Sequence, residues 1–206
     1  TAPVAVRVVG VGAKKVLIAG EQVVQVRIVV GVADVVELFP YVGQAVAVAV
    51  RALEHRKGAQ RLAAELFADY DLILDGTDNF DTRYLVNRIA VAQGKPLIAA
   101  ALTQWEGQIS LYDPAHGTPC YACVFPVAPD AALVPSCAEA GVIGPLPGVI
   151  GAMMAVEAVK QITGAGDGLG GRLLIYDALY AQTRTITVKP RADWAVCGGK
   201  GLRPQD

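Results

Sequence analysis

The run Asp71–Asn87, DLILDGTDNFDTRYLVN, constrains the fold of this chain more tightly than any other segment. Three apolar residues, Leu72–Leu74, lead straight into Asp75-Gly76-Thr77-Asp78-Asn79, and a helical pattern begins at once. A short apolar run closed by glycine and polar residues reads as a buried parallel strand. In open α/β sheets, ligands bind in the crevice beyond the carboxyl ends of the strands. Two carboxylates at such an end, beside a glycine that lets a ligand approach the backbone, suit a magnesium-bound nucleotide better than a packing role.

The chain continues in the same style on both sides. Gln60–Ala68 has helical composition. Asp78 or Asn79 can cap a helix running to about Gln93, where Gly94 and Pro96 end it. Leu97–Leu102 is a further apolar strand. Gly107 reads as a break before a strand Gln108–Tyr112, in which Gln108, Ser110 and Tyr112 alternate with Ile109 and Leu111. The stretch Asp113–Pro147 is rich in Pro and Gly and holds three of the four cysteines, the profile of a functional or mobile loop. Gly148–Thr163 predicts a helix apolar on nearly every face, capped by Gly164 and therefore deeply buried or in an interface. Arg172–Tyr176 and Thr183–Lys189 predict a closing hairpin.

Residues 1–50 are different in kind: Val dominates, and neither Ser nor Asn occurs. Lys15–Gly20 and Val26–Val30 read as strands, Asp34–Leu38 follows, and Gln44–His55 fits a helix or a strand equally well.

A hydrophobic content of 53% raises the question of a membrane. The longest nearly apolar stretch, Ala140–Val156, falls short of a span, contains Pro145 and Pro147, and is closed by Glu139 and Glu157. It reads as a loop and a core helix. With no signal peptide at its start, the chain is expected to be soluble and cytoplasmic. A net charge of −1 with scattered Lys and Arg gives no basic face for nucleic acid. The pair Cys120-Tyr121-Ala122-Cys123 points to metal or thiol chemistry in a reducing compartment rather than to a disulfide scaffold. At 206 residues, one α/β domain needs no disulfides to hold its core.

Six motifs occur together in order: Asp75-Gly76-Thr77-Asp78-Asn79-Phe80 with Arg83; Glu106-Gly107-Gln108; Cys120-Tyr121-Ala122-Cys123; Pro135-Ser136-Cys137-Ala138-Glu139; Gly144-Pro145-Leu146-Pro147-Gly148; and Cys197-Gly198-Gly199. In this register, from about Leu66 to Gly199, the chain resembles the ThiF/MoeB/HesA family of ubiquitin-activating-enzyme-like adenylyltransferases. The resemblance implies a Rossmann-like, mostly parallel sheet with an antiparallel extension and a cysteine-bearing loop region. It implies ATP-dependent adenylylation of the C-terminal glycine of a ubiquitin-like sulfur carrier ending in Gly-Gly, by a homodimer using Mg²⁺. Asp78 is then the metal and nucleotide carboxylate; alone, it would more commonly be a helix N-cap. Asp75, Gly76 and Asn79 line the nucleotide, and Arg83 either faces the phosphates or is a solvated or ion-paired helix residue. Cys137 matches a cysteine that some members use for a covalent link to the carrier or its sulfur; a packing role is its equal alternative. Cys120, Cys123 and Cys197 match three of four zinc ligands. Trp194 stands where the fourth cysteine belongs, leaving Asp193, His116 or water to complete a shell.

The resemblance weakens before Leu66. Gly20 matches the first glycine of the family's phosphate loop, but Glu21-Gln22-Val23 replaces the rest, and Val46 stands where a phosphate-binding lysine belongs. The catalytic arginine expected between Leu38 and Gly43 is also missing. Losing these together would remove most of the electrostatic stabilisation of the transition state. A fold without the helix covering its first strand would expose a core face, so residues 1–60 read as an atypical or incomplete part of one adenylation domain. The alternative is a scaffold that keeps the fold and binds a carrier without ATP chemistry.

Overall fold

The computed structural model describes residues 4–6, 22–24, 28–31, 59–68, 70–129, 140–191 and 196–197. The expected strand Lys15–Gly20, the segment Asp34–Leu38 and the ambiguous Gln44–His55 lie outside these residues.

Two short strands, β1 (Val4–Val6) and β2 (Gln22–Val24), form a separate parallel pair. The main sheet has six strands in chain order: β3 (Ile28–Gly31), β4 (Leu72–Asp75), β5 (Leu97–Thr103), β6 (Glu106–Tyr112), β7 (Arg172–Asp177) and β8 (Gln182–Thr187). β3, β4 and β5 run parallel, while β5 to β8 form an antiparallel meander. The fold is thus α/β with the expected antiparallel extension, which among the described strands is as wide as the parallel part. Every residue of β4 is buried, as a parallel strand covered on both faces requires.

Helix α1 (Ala59–Ala68) packs against helix α2 (Phe80–Ala92), which crosses from β4 to β5. The start of α2 is set by Asn79, whose side chain accepts the N–H of Thr82 at 2.8 Å. A one-turn helix α3 (Tyr121–Val124) lies against α2, and the long helix α4 (Leu146–Thr163) lies over β5 and β6. Phe67, Leu72, Ile73, Leu97, Ile98, Ile109, Leu146 and Ile150 are almost wholly inaccessible and form the heart of the core.

Two expectations change. Gly107 does not break the chain: it lies within β6, opposite Leu102, and the turn belongs to Gln104 and Trp105. A Cβ at Gly107 would overlap Cγ1 and Cδ1 of Ile150, so any larger residue here forces the Ile150 side chain of α4 to shift. Both alternating sets of β6 are buried, Ser110 and Tyr112 as well as Ile109 and Leu111. Helix α4 starts at Leu146, with Pro147 in its first turn, where a missing N–H costs nothing. Of its two expected settings, buried or in an interface, full burial within the chain does not hold: Val149, Val156 and Val159 are exposed. Among the described residues, no helix is long and apolar enough to cross a membrane.

The parallel register defines one functional end of the sheet. Gly31 ends β3 beside Asp75, which ends β4. The Gln104–Trp105 turn follows β5 at the same end. Gln104 donates its N–H to the carbonyl of Gly141 and accepts the N–H of Ile143, both at 3.0 Å. The chain that follows the Cys137 segment is therefore anchored at the end of the sheet that carries Asp78.

Candidate functional site

The strand-end segment is held by its own side chains. Oδ1 of Asp75 accepts the N–H of Thr77 at 2.9 Å and its hydroxyl at 2.8 Å. Asp75 and Thr77 are both buried. Of the two carboxylates expected to face a ligand, Asp75 thus faces inward and organises the turn. Asp78 is the exposed one. It is not the helix cap either, since Asn79 performs that task, so its carboxylate is left for another partner. Gly76, between the two, is half-buried. Gly20 and Cys137 lie outside the described residues.

Arg83 is only 7% exposed. Its Nε and Nη2 donate to the carbonyl of Thr77 at 2.9 and 2.6 Å, and its guanidinium lies 5.4 Å from the centre of the Phe80 ring. Among the described residues no carboxylate pairs with it: the guanidinium is turned onto a buried carbonyl of the strand-end turn, with the Tyr121 hydroxyl also beside it.

One turn along α2, Asn87 accepts the backbone N–H of Tyr121 at 2.9 Å. The Tyr121 ring meets Tyr84 and Tyr112 edge-on, with centroids 5.4 and 5.7 Å away, and leans on Phe125 at 4.9 Å. Burial pushes the Tyr121 hydroxyl above its ordinary pKa, and the Arg83 guanidinium beside it works in the other direction. Thr77, Asn87 and Tyr121 were not singled out from the sequence. The available signal was Arg83 and Asn87 at i, i+4 on a helix whose apolar residues face the core.

Cys120, Cys123 and Cys197 converge, with ligand atoms all within 4.8 Å of one another. The sulfurs of Cys120 and Cys123 are 3.7 Å apart, and those of Cys123 and Cys197 are 3.2 Å apart. These are spacings that thiolates sharing one ion can adopt. The residues present therefore fit a thiolate-bound metal. His116, a candidate fourth ligand, bonds instead through Nδ1 to Oδ2 of Asp113 at 2.7 Å and is not part of the cluster. Asp193 and Trp194 lie outside the described residues. Cys120 stands at the N-cap of α3, which is one turn long.

The three thiols are unequal. Burial raises the pKa of Cys120, and burial together with the other two sulfurs pushes Cys197 far up. Burial also works to raise Cys123, but the N–H of Arg191 and the hydrogen bonds from Cys197 and Cys120 outweigh it, so Cys123 is lowered. One sulfur ionises first, and a bound cation would draw the proton off the others.

Residues 10–197 match the ThiF family, a span that starts well before Leu66, where the motif resemblance begins. The chain is 50% identical over 140 residues to the sulfur carrier protein adenylyltransferase of Thermus thermophilus, covering 66% of this chain and 52% of that protein. It is 42% identical over 138 residues to the SAMP-activating enzyme E1 of Haloferax volcanii, covering 67% and 50%. Escherichia coli MccB shares the fold, with a TM-score of 0.55 at 18% identity over 69% of this chain and 44% of MccB. MccB has also been solved with ATP, and that structure gives a TM-score of 0.53 at 17% identity over 66% of this chain and 43% of MccB. The chain spans about half the length of the two relatives in sequence.

Proposed function

The chain belongs to the ThiF family, and on that premise we propose that it catalyses ATP-dependent adenylylation of the C-terminal glycine of a small ubiquitin-like sulfur carrier protein. The observation that carries this reading is Asp78: an exposed carboxylate at the carboxyl end of a buried parallel strand, relieved of helix capping by Asn79. The carrier's terminal carboxylate attacks the α-phosphate of ATP, the bond to the β-phosphate breaks, and pyrophosphate leaves. Asp78 is the residue that would hold Mg²⁺, which supplies the positive charge that offsets the phosphates. Asp75 contributes by shaping the turn, and Gly76 leaves room beside it.

Cys120, Cys123 and Cys197 would hold zinc as a structural cross-link between α3 and the chain near the C-terminus. Cys137 would handle the carrier or its sulfur, as the motif Pro135-Ser136-Cys137-Ala138-Glu139 suggests. The exposed Val149, Val156 and Val159 on α4 support a homodimer. Thiol ligands of this kind suit a reducing, cytoplasmic setting.

ATP–pyrophosphate exchange by the full-length protein tests the reading, with candidate Gly-Gly carriers added one at a time. Exchange that depends on one carrier and is lost in Asp78→Asn supports it. Carrier binding without exchange favours the scaffold alternative, which the departures at Glu21-Gln22-Val23 and Val46 motivate.

A further inference from the structure

The carbonyl that Arg83 grips belongs to the peptide bond joining Thr77 to Asp78. A peptide unit is rigid and planar, so fixing its oxygen fixes the orientation in which the chain enters the Cα of Asp78. Two donors of one guanidinium converge on this oxygen, at 2.9 and 2.6 Å, and the Phe80 ring lies beside the guanidinium plane. On the other side, Asp75 holds both the N–H and the hydroxyl of Thr77. Beyond Asp78, the Asn79 side chain is bound to the N–H of Thr82. Three fixed points therefore bracket one exposed carboxylate. A buried cation whose donors meet a neutral carbonyl costs desolvation, and such an arrangement is expected where orientation matters.

We propose that Arg83 is a positioning residue for Asp78: it holds the Thr77–Asp78 peptide so that the Asp78 carboxylate meets the divalent cation of the bound nucleotide, and it makes no phosphate contact of its own. The proposal rests on the adenylylation reading and goes beyond it by separating two roles that one motif would otherwise share. A lysine in place of Arg83 keeps the charge but loses the planar fork that places two donors on one oxygen. A phosphate-binding arginine would tolerate that exchange in part; a positioning arginine would not.

The test measures exchange in the full-length protein against Mg²⁺ concentration, and separately measures ATP affinity in EDTA. In Arg83→Lys and Arg83→Gln, the Mg²⁺ concentration for half-maximal exchange should rise by about 10-fold or more, the scale for removing a group that orients a metal ligand. ATP affinity in EDTA should not change. Phe80→Leu, which keeps every hydrogen-bond donor, should shift the Mg²⁺ dependence in the same direction by less, and it stands as the test if the Arg83 variants do not fold. Weakened ATP binding in EDTA with an unaltered Mg²⁺ dependence would make Arg83 a phosphate ligand and overturn the proposal, as would no change in either quantity. Absence of both exchange and ATP binding in the unmodified protein would overturn the adenylylation reading itself, and this assignment with it.

Discussion

The side-chain oxygen of Asn87 accepts the backbone N–H of Tyr121 at 2.9 Å, joining two residues 34 positions apart and both buried. Through this bond α2 carries the Cys120–Cys123 turn, and through Arg83 α2 also holds the strand-end turn. One crossover helix thus supports both the proposed nucleotide end and the cysteine cluster.

Asn87→Ala should cost about 1–3 kcal/mol, the penalty for leaving a buried N–H unpaired. Urea denaturation at neutral pH measures it. The far-UV spectrum should stay native, because the helix itself loses no backbone bond.

Gly107→Ala should destabilise by about 1–3 kcal/mol through overpacking against Ile150. Ile150→Ala alone should cost about 2–5 kcal/mol as a cavity. In the double variant the clash is gone, so its loss should be clearly smaller than the sum of the two single losses. A strictly additive cycle would mean that α4 moves away without penalty.

Burial raises the pKa values of Tyr84, Tyr112 and Tyr121 above the ordinary tyrosine value, most strongly for Tyr112. The folded state therefore holds these protons more tightly than the unfolded chain. Stability from this source is complete below the unfolded value of about 10 and declines as pH rises above it. The denaturation midpoint should be insensitive to these groups near neutrality and fall in alkali. Tyr112→Phe should lessen the alkaline loss; an unchanged alkaline profile in that variant would refute the assignment.

The full-length protein purified without chelator should carry zinc. Replacing Cys120, Cys123 or Cys197 by Ser should each lower zinc affinity by more than the roughly 10–100-fold typical of outer-shell changes. Trp194→Cys, which restores the family's fourth thiolate, should raise it. Zinc content by elemental analysis and competition with a chromogenic chelator read both effects, and stripping the metal should lower the thermal midpoint.

Much of the fold was legible in the chain because local signals and burial agreed there. Leu72–Leu74 is continuous and apolar because its strand is covered on both faces. Asn79, Gly94 and Gly164 punctuate helices at the positions where caps must stand. The misreadings concern glycine and proline, residues that serve more than one purpose. Gly107 looked like punctuation but is a contact residue, and Pro145 and Pro147 looked like loop residues but stand at the start of α4. At Gly107 a distant element decided, and its approach leaves no periodic trace in the strand.

The candidate site divides along the same line. Sequence alone determined which side chains are available: the Asp75–Asn79 turn, the three matching cysteines, and the departures in the phosphate-binding region. Those are matters of residue identity and spacing, which motifs record directly. Only the tertiary structure decided that Asp75 turns inward while Asp78 faces out, that Arg83 grips the Thr77 carbonyl, and that His116 bonds to Asp113 instead of joining the cysteines. Those outcomes depend on which neighbours compete for each polar atom once water is excluded, and that competition exists only in the folded chain.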